Sequence, residues 1–157
     1  MIKNNSESEI IKVNESPKNI LKDIIPKSFT FKKNRDLILS YLSFRLNPKE
    51  SGIPIEPISI ARCKKIAFSL KKIDNDIQKE FSNITPADIT KIFDSLKSGT
   101  NTRSKRITVE GDIPFLRTKV PYSPSTVRNL WSDFSNFWNF LVRTEGLDNI
   151  LIYIKKP

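Results

Sequence analysis

The chain has 157 residues, one domain by length and long enough to bury a real core. Its 27 Lys and Arg outnumber 17 Asp and Glu, for a net charge of +10; this favours a polyanionic partner such as nucleic acid and is less typical of an enzyme for acidic substrates. There is no histidine and one cysteine, Cys63, so zinc, His-base and Ser-His-Asp chemistries are excluded, no internal disulfide can form, and neither metal nor cofactor is expected.

The N-terminal residues MIKNNSESEIIKVNESPKN are rich in Asn, Ser, Glu and Lys, hold no apolar leader core, and bury too little to offset their ordering entropy. They are expected to form a flexible polar arm reaching to about residue 30. Within it, NILKDII can make one short amphipathic turn through Ile20, Leu21, Ile24 and Ile25 before Pro26 interrupts it. No run of about 18 apolar residues occurs, so no membrane span is predicted and the expected location is cytoplasmic.

The first helix is predicted from Asn34, as cap, to Pro48, with Leu37, Ile38, Tyr41, Leu42 and Leu46 on its apolar stripe. Gly52, Pro54 and Pro57 make residues 49–57 an extended connection. A second helix is predicted over 58–73, burying Ile60, Cys63, Ala67 and Leu70. Arg62, Lys65, Ser69 and Lys72 recur on its far side, with Lys64 and Lys71 at the margins. Such a stripe is either a solvated face or a phosphate-binding one.

The third helix has the best-written start in the chain, with Thr85 as cap, Pro86 at the first position and Asp88 placed to answer the cap amide. It buries Ile89, Ile92, Phe93 and Leu96 and stops at Gly99. Between Gly99 and Tyr122 a small β-hairpin is predicted, with Ile107 to Val109 and Ile113 to Leu116 flanking Glu110-Gly111-Asp112. Arg103, Lys105, Arg106, Arg117 and Lys119 make this segment basic. It is either a wing that follows a phosphate backbone or a solvated loop.

The last helix is predicted over 124–144, capped by Ser123 or Ser125, opened by Pro124 and closed by Gly146. Val127, Leu130, Trp131, Phe134, Phe137, Trp138 and Leu141 fall on one side as core. Arg128, Ser132, Ser135, Asn139 and Arg143 fall on the other. Phe140 lies off the apolar stripe and is expected to be exposed, where it could dock a protomer or another domain.

The pattern SPSTVRNLWSDFSNFWNFLVRTEGL resembles the last long helix of the core-binding domain of tyrosine recombinases, the phage and archaeal integrase family. ITPADITKIFDSLKSG and SIARCKKIAFSLKKI resemble the two helices before it, and the closing LIYIKKP resembles the linker into the catalytic domain. The resemblance implies an all-α, four-helix orthogonal bundle of the SAM-like kind over 31–157, with the hairpin as an insertion the family lacks. It also implies that duplex DNA is the partner, together with a C-terminal catalytic domain and other recombinase protomers on DNA. The phosphoryl-transfer set of Tyr, Arg, Lys and His resides in that separate domain; Tyr41, Tyr122 and Tyr153 are read as packing or turn residues, and no catalytic residue is assigned.

In the family two helices of this domain approach the major groove. Carried onto this chain, Arg62, Lys64, Lys65, Ser69, Lys71 and Lys72 on one, and Arg128, Ser132, Ser135 and Asn139 on the other, would contact DNA. Thr126 would donate to a phosphate beside the helix N-terminal amides, and Arg103, Lys105, Arg106 and Lys119 would add backbone contacts. A helical transcription regulator or a protein-interaction module remains the alternative.

Overall fold

The computed structural model describes residues 21, 22, 25, 27–52, 54–107 and 116–157. They are mostly helical, with α1 at Lys32–Leu46, α2 at Ile60–Ile77, α3 at Pro86–Ser98, β1 at Thr102–Ile107, β2 at Leu116–Pro121 and α4 at Pro124–Glu145. The strands form a two-stranded antiparallel ribbon ahead of the last helix. The chain divides into two compact units, residues 1–75 and 76–157. Among the described residues no helix is long and apolar enough to cross a membrane.

In the first unit, Ile38, Leu39, Tyr41 and Leu42 of α1 and Cys63, Ile66, Ala67, Leu70 and Ile73 of α2 are buried. Leu21 and Ile25 are buried as well, with the Ile25 amide bonded to the Leu21 carbonyl, so packed chain reaches back to residue 21, ahead of the boundary expected near residue 30. Ile20 and Ile24, the other members of the expected turn, and residues 1–19 lie outside the described residues. Asn34 does not cap α1. Phe31 holds that position without a side-chain bond, and Asn34 sits buried inside the helix, its amide donating to Asp74 Oδ1 at 2.8 Å. The Thr30 amide donates to Asp74 Oδ2 at 3.1 Å. A carboxyl group buried without such donors would be strongly destabilising, so these two bonds are what allow Asp74 to sit inside.

The same network explains why α2 outruns its expected end at Ile73. No Gly or Pro stops it, and Asp74 is held by α1 rather than turned back on its own backbone as Asp often is in loops. The helix continues to Ile77, and Gln78 takes the left-handed conformation at φ 52°. At the other end α2 starts two residues later than expected: Ser59 Oγ accepts from the Arg62 amide at 3.2 Å, and Ile60 is 47% exposed rather than core. Cys63 is fully buried. Burial pushes its thiol up to about 11, with Arg45 pulling it partly back.

The second unit is organised by α4. Its Phe134, Phe137 and Trp138 are essentially inaccessible, and Val127, Leu130, Trp131 and Leu141 join them as the sequence pattern predicts. Phe93 of α3 meets Trp131 edge to face at 5.1 Å, and Phe81 meets Phe137 at 5.2 Å. Phe140 is not exposed. At 7% accessibility, with Asp133 at 3%, it extends the buried arc to about half the circumference of α4, wider than the stripe a surface helix usually buries. Trp138 Nε1 donates to the Asp148 carbonyl at 3.0 Å, and the 3₁₀ turn Ile150–Tyr153 follows, with Ile150 and Ile154 buried.

The starts and stops of α3 and α4 match their sequence signals. Thr85 and Asp88 form a complete capping box, and Ser123 Oγ accepts the Thr126 amide. Gly99 and Gly146 close the two helices at φ 79° and 66°, a region that L side chains enter only at a cost. At Gly99 an added Cβ would also press against Pro121 at 3.4 Å.

Three outcomes follow from these environments. Thr85→Ala should cost about 1 kcal/mol in urea denaturation at neutral pH. The Thr85 amide, more than the Lys79 ammonium, holds the Asp88 carboxyl below its ordinary value; the stability lost in Asp88→Asn should therefore be constant above the unfolded pKa of about 4 and fade as pH drops through the lower folded value. Cys63 should react with iodoacetamide at about pH 8 roughly a hundredfold more slowly in the folded chain than in urea, because the thiolate is the nucleophile.

Candidate nucleic-acid interface

The small hairpin expected ahead of the last helix is present as the β1–β2 ribbon. Apolar runs at 107–109 and 113–116 suggested the strands, but residues 108–115 lie outside the described residues and the observed strands are the flanking basic segments TRSKRI and LRTKVP. Alternation of apolar and polar residues finds a strand with one buried face. These strands expose charge on both faces, so no such signal exists.

Register decides which cations share a face. Arg106 stands directly opposite Arg117, and Ser104 opposite Lys119; opposed residues, and those two apart along a strand, point the same way. Arg106, Arg117 and Lys119 therefore crowd one face. Arg103, opposite Val120, and Lys105, opposite Thr118, occupy the other. All five are exposed. Like charges directly opposed across strands are unfavourable by a few tenths to about 1 kcal/mol, a cost that an oxyanion spanning them would reverse.

On α2 the exposed residues Arg62, Lys64 and Lys65 and the half-exposed Ser69, Lys71 and Lys72 lie outside the buried arc. Lys71 is engaged locally, its ammonium donating to Ser28 Oγ at 2.6 Å and lying 5.8 Å from the Phe29 ring centroid. Phe68, which the sequence reading passed over, is 54% exposed among these lysines. Its signal was available: the positions three and four residues to either side are all lysine.

On α4 the expected contacts separate. Arg128, Ser132 and Asn139 are exposed. Ser135 is not placed to reach a duplex, because its Oγ is buried with no hydrogen-bond partner. Ser132, Ser135 and Asn139 line a groove of about 540 Å³ whose opposite wall is Asn149, Leu151, Ile152, Ile154 and Lys156, so the stripe seen on a helical wheel becomes one side of a concave, amide-rich surface. Thr126 is likewise committed to the cap: its amide donates to Ser123 Oγ at 3.2 Å and its hydroxyl lies 2.8 Å from the same oxygen. Tyr41 is core, and Tyr153, 75% exposed, closes the 3₁₀ turn Ile150–Tyr153, so packing accounts for the first and turn position for the second.

Among the described residues no group of three or more Cys, Asp or Glu could hold a metal ion. No family model matches the chain, and no match was found among curated proteins or solved structures.

Arg117→Glu should turn the cross-strand repulsion into attraction. Thermal melts should then show a gain of up to about 1 kcal/mol at about 0.01 M salt that largely disappears at about 1 M, where the Debye length is roughly 3 Å.

Proposed function

We propose that the chain is a DNA-binding module that clamps duplex DNA through its phosphates, and that it serves as the core-binding domain of a tyrosine recombinase or integrase. The observation that carries DNA binding is the ribbon face on which Arg106 opposes Arg117 beside Lys119. A surface selected only for solubility has no reason to align like charges, whereas a polyanion rewards it. A two-stranded ribbon also has the dimensions to enter a major groove or track its edge. The exposed Arg62, Lys64 and Lys65 of α2, within its acid-free stretch from Ile60 to Ile73, and Arg128 of α4 supply further cations.

The recombinase assignment rests on the resemblance of three helices in order and on their signals, including the capping box of α3 and the Ser-Pro start of α4. In this reading the described helices belong to a SAM-like orthogonal bundle, strand cleavage and rejoining belong to a C-terminal catalytic domain, and this chain has no catalytic role. Other protomers on the same DNA are partners, and the protein works in the cytoplasm at the nucleoid. The ribbon is an addition to the family pattern. It extends the contact with DNA beyond what the helices supply.

Titration of the chain with random-sequence duplexes across a salt series tests this. Engagement of six phosphates gives a log–log slope of about −5, and Arg106→Ala combined with Arg117→Ala should reduce the slope by roughly 2 without lowering thermal stability. A flat salt dependence overturns the DNA-binding reading. A stable dimer on a palindromic site, seen by sedimentation, would replace the recombinase assignment with that of a transcription regulator.

A further inference from the structure

On the surface of α2 the four neighbours of Phe68, three and four residues before and after it, are Lys64, Lys65, Lys71 and Lys72. No acidic residue lies between Ile60 and Ile73. The ring is 54% exposed, although burying a phenylalanine is worth roughly 1.5–3 kcal/mol. The core does not require it: Cys63, Ile66, Ala67, Leu70 and Ile73 already fill the opposite side of the helix. Lysine stems can cover an apolar ring while keeping their charges in water, yet here more than half of the ring stays open. Lys71 is drawn away toward Ser28 and Phe29.

We infer that Phe68 is a stacking platform for an unstacked nucleobase, with Lys64, Lys65 and Lys72 holding the phosphates to either side. The inference rests on the reading of the chain as a DNA-binding module and adds to it a contact that phosphate clamping does not need. Charge complementarity selects the occupant. A flat apolar ring with lysines one turn to either side along the helix matches a flat base flanked by phosphates, and every base offers such a face, so stacking is sequence-tolerant. An anionic membrane surface shares the charge but calls for a broad apolar face. Among the described residues of α2 the exposed large apolar side chains are Phe68 and Ile60, the latter at 47% exposure.

The base can come from a single strand or from a duplex step opened by the ring. Binding of the full chain to a labelled oligothymidylate, to a fully paired duplex and to phosphatidylcholine vesicles containing phosphatidylserine, each over a salt series, separates these sources. Phe68→Ala should weaken oligothymidylate binding by about 5-fold to 100-fold, with an unchanged salt slope because no charge is removed, and with an unchanged melting temperature. Phe68→Leu, apolar but not flat, should recover little of the loss, whereas Phe68→Trp should bind at least as tightly as the parent. An equal loss on the paired duplex would identify an opened step, and no loss there a single strand. Undiminished binding of Phe68→Ala to both nucleic acids, alongside steep salt dependence of the parent, would overturn the stacking role and leave the DNA-binding module standing. Failure of the parent to bind either nucleic acid would remove both. Vesicle binding that depends on Phe68, with nucleic-acid binding unaffected, would assign the ring to lipid and overturn the inference.

Discussion

The packing of the α4 aromatic side is the constraint on which the second unit depends. Trp131 and Phe134 meet Phe93, Phe137 meets Phe81, and Phe134 meets Trp131 and Trp138 along α4, through edge-on and tilted contacts at 5.1–6.5 Å. Each such ring pair contributes on the order of 1 kcal/mol beyond area burial, but removing a whole ring from a packed core costs roughly 3–5 kcal/mol. Burial therefore dominates, and ring geometry refines it. By fixing the rotation of α4, these rings also direct Arg128, Ser132 and Asn139 outward, and the Trp138 bond to Asp148 starts the turn whose following residues wall the groove. The core thus positions the polar surface it does not touch.

The first unit depends on a different device. Asp74 is the one fully buried acid among its described residues, and it is held by Asn34 and the Thr30 amide. A buried carboxyl group adds little net stability compared with an apolar residue of the same shape, but it penalises any arrangement that strands it. Here it ties the segment preceding α1 to the last turns of α2. The pairing is the price of a defined approach of Thr30 and Asn34 to α2, and it leaves the lysines of α2 on the open side.

Charge organises the surface in a way that stability alone does not favour. An opposed Arg pair on an exposed ribbon is unfavourable by at most about 1 kcal/mol and is screened by salt, so a domain of ordinary stability tolerates it. The lysines one turn to either side of Phe68 are tolerated for the same reason. Tolerance explains survival; among the described residues Arg106, Arg117 and Lys119 share one ribbon face, and the stretch of α2 from Ile60 to Ile73 carries its cations with no acid among them.

Local chemistry was legible wherever the side chain itself dictates backbone geometry. Thr85, Pro86 and Asp88 specify the start of α3, Ser123 and Pro124 that of α4, and Gly99 and Gly146 their ends, because caps and left-handed residues act within one turn. The seven-residue stripe of α4 was equally legible from a 3.6-residue period. Tertiary structure decided the rest. Asn34 became a core donor because Asp74 came to meet it, Phe140 was buried because a helix wheel cannot show how wide an arc neighbouring chain will cover, and Ser135 lines a groove with its Oγ buried, a depth that the wheel does not show. The ribbon belongs to the same class: which of Arg103, Lys105, Arg106, Arg117 and Lys119 share a face is set by strand register, and register is a relation between two segments that neither one carries alone.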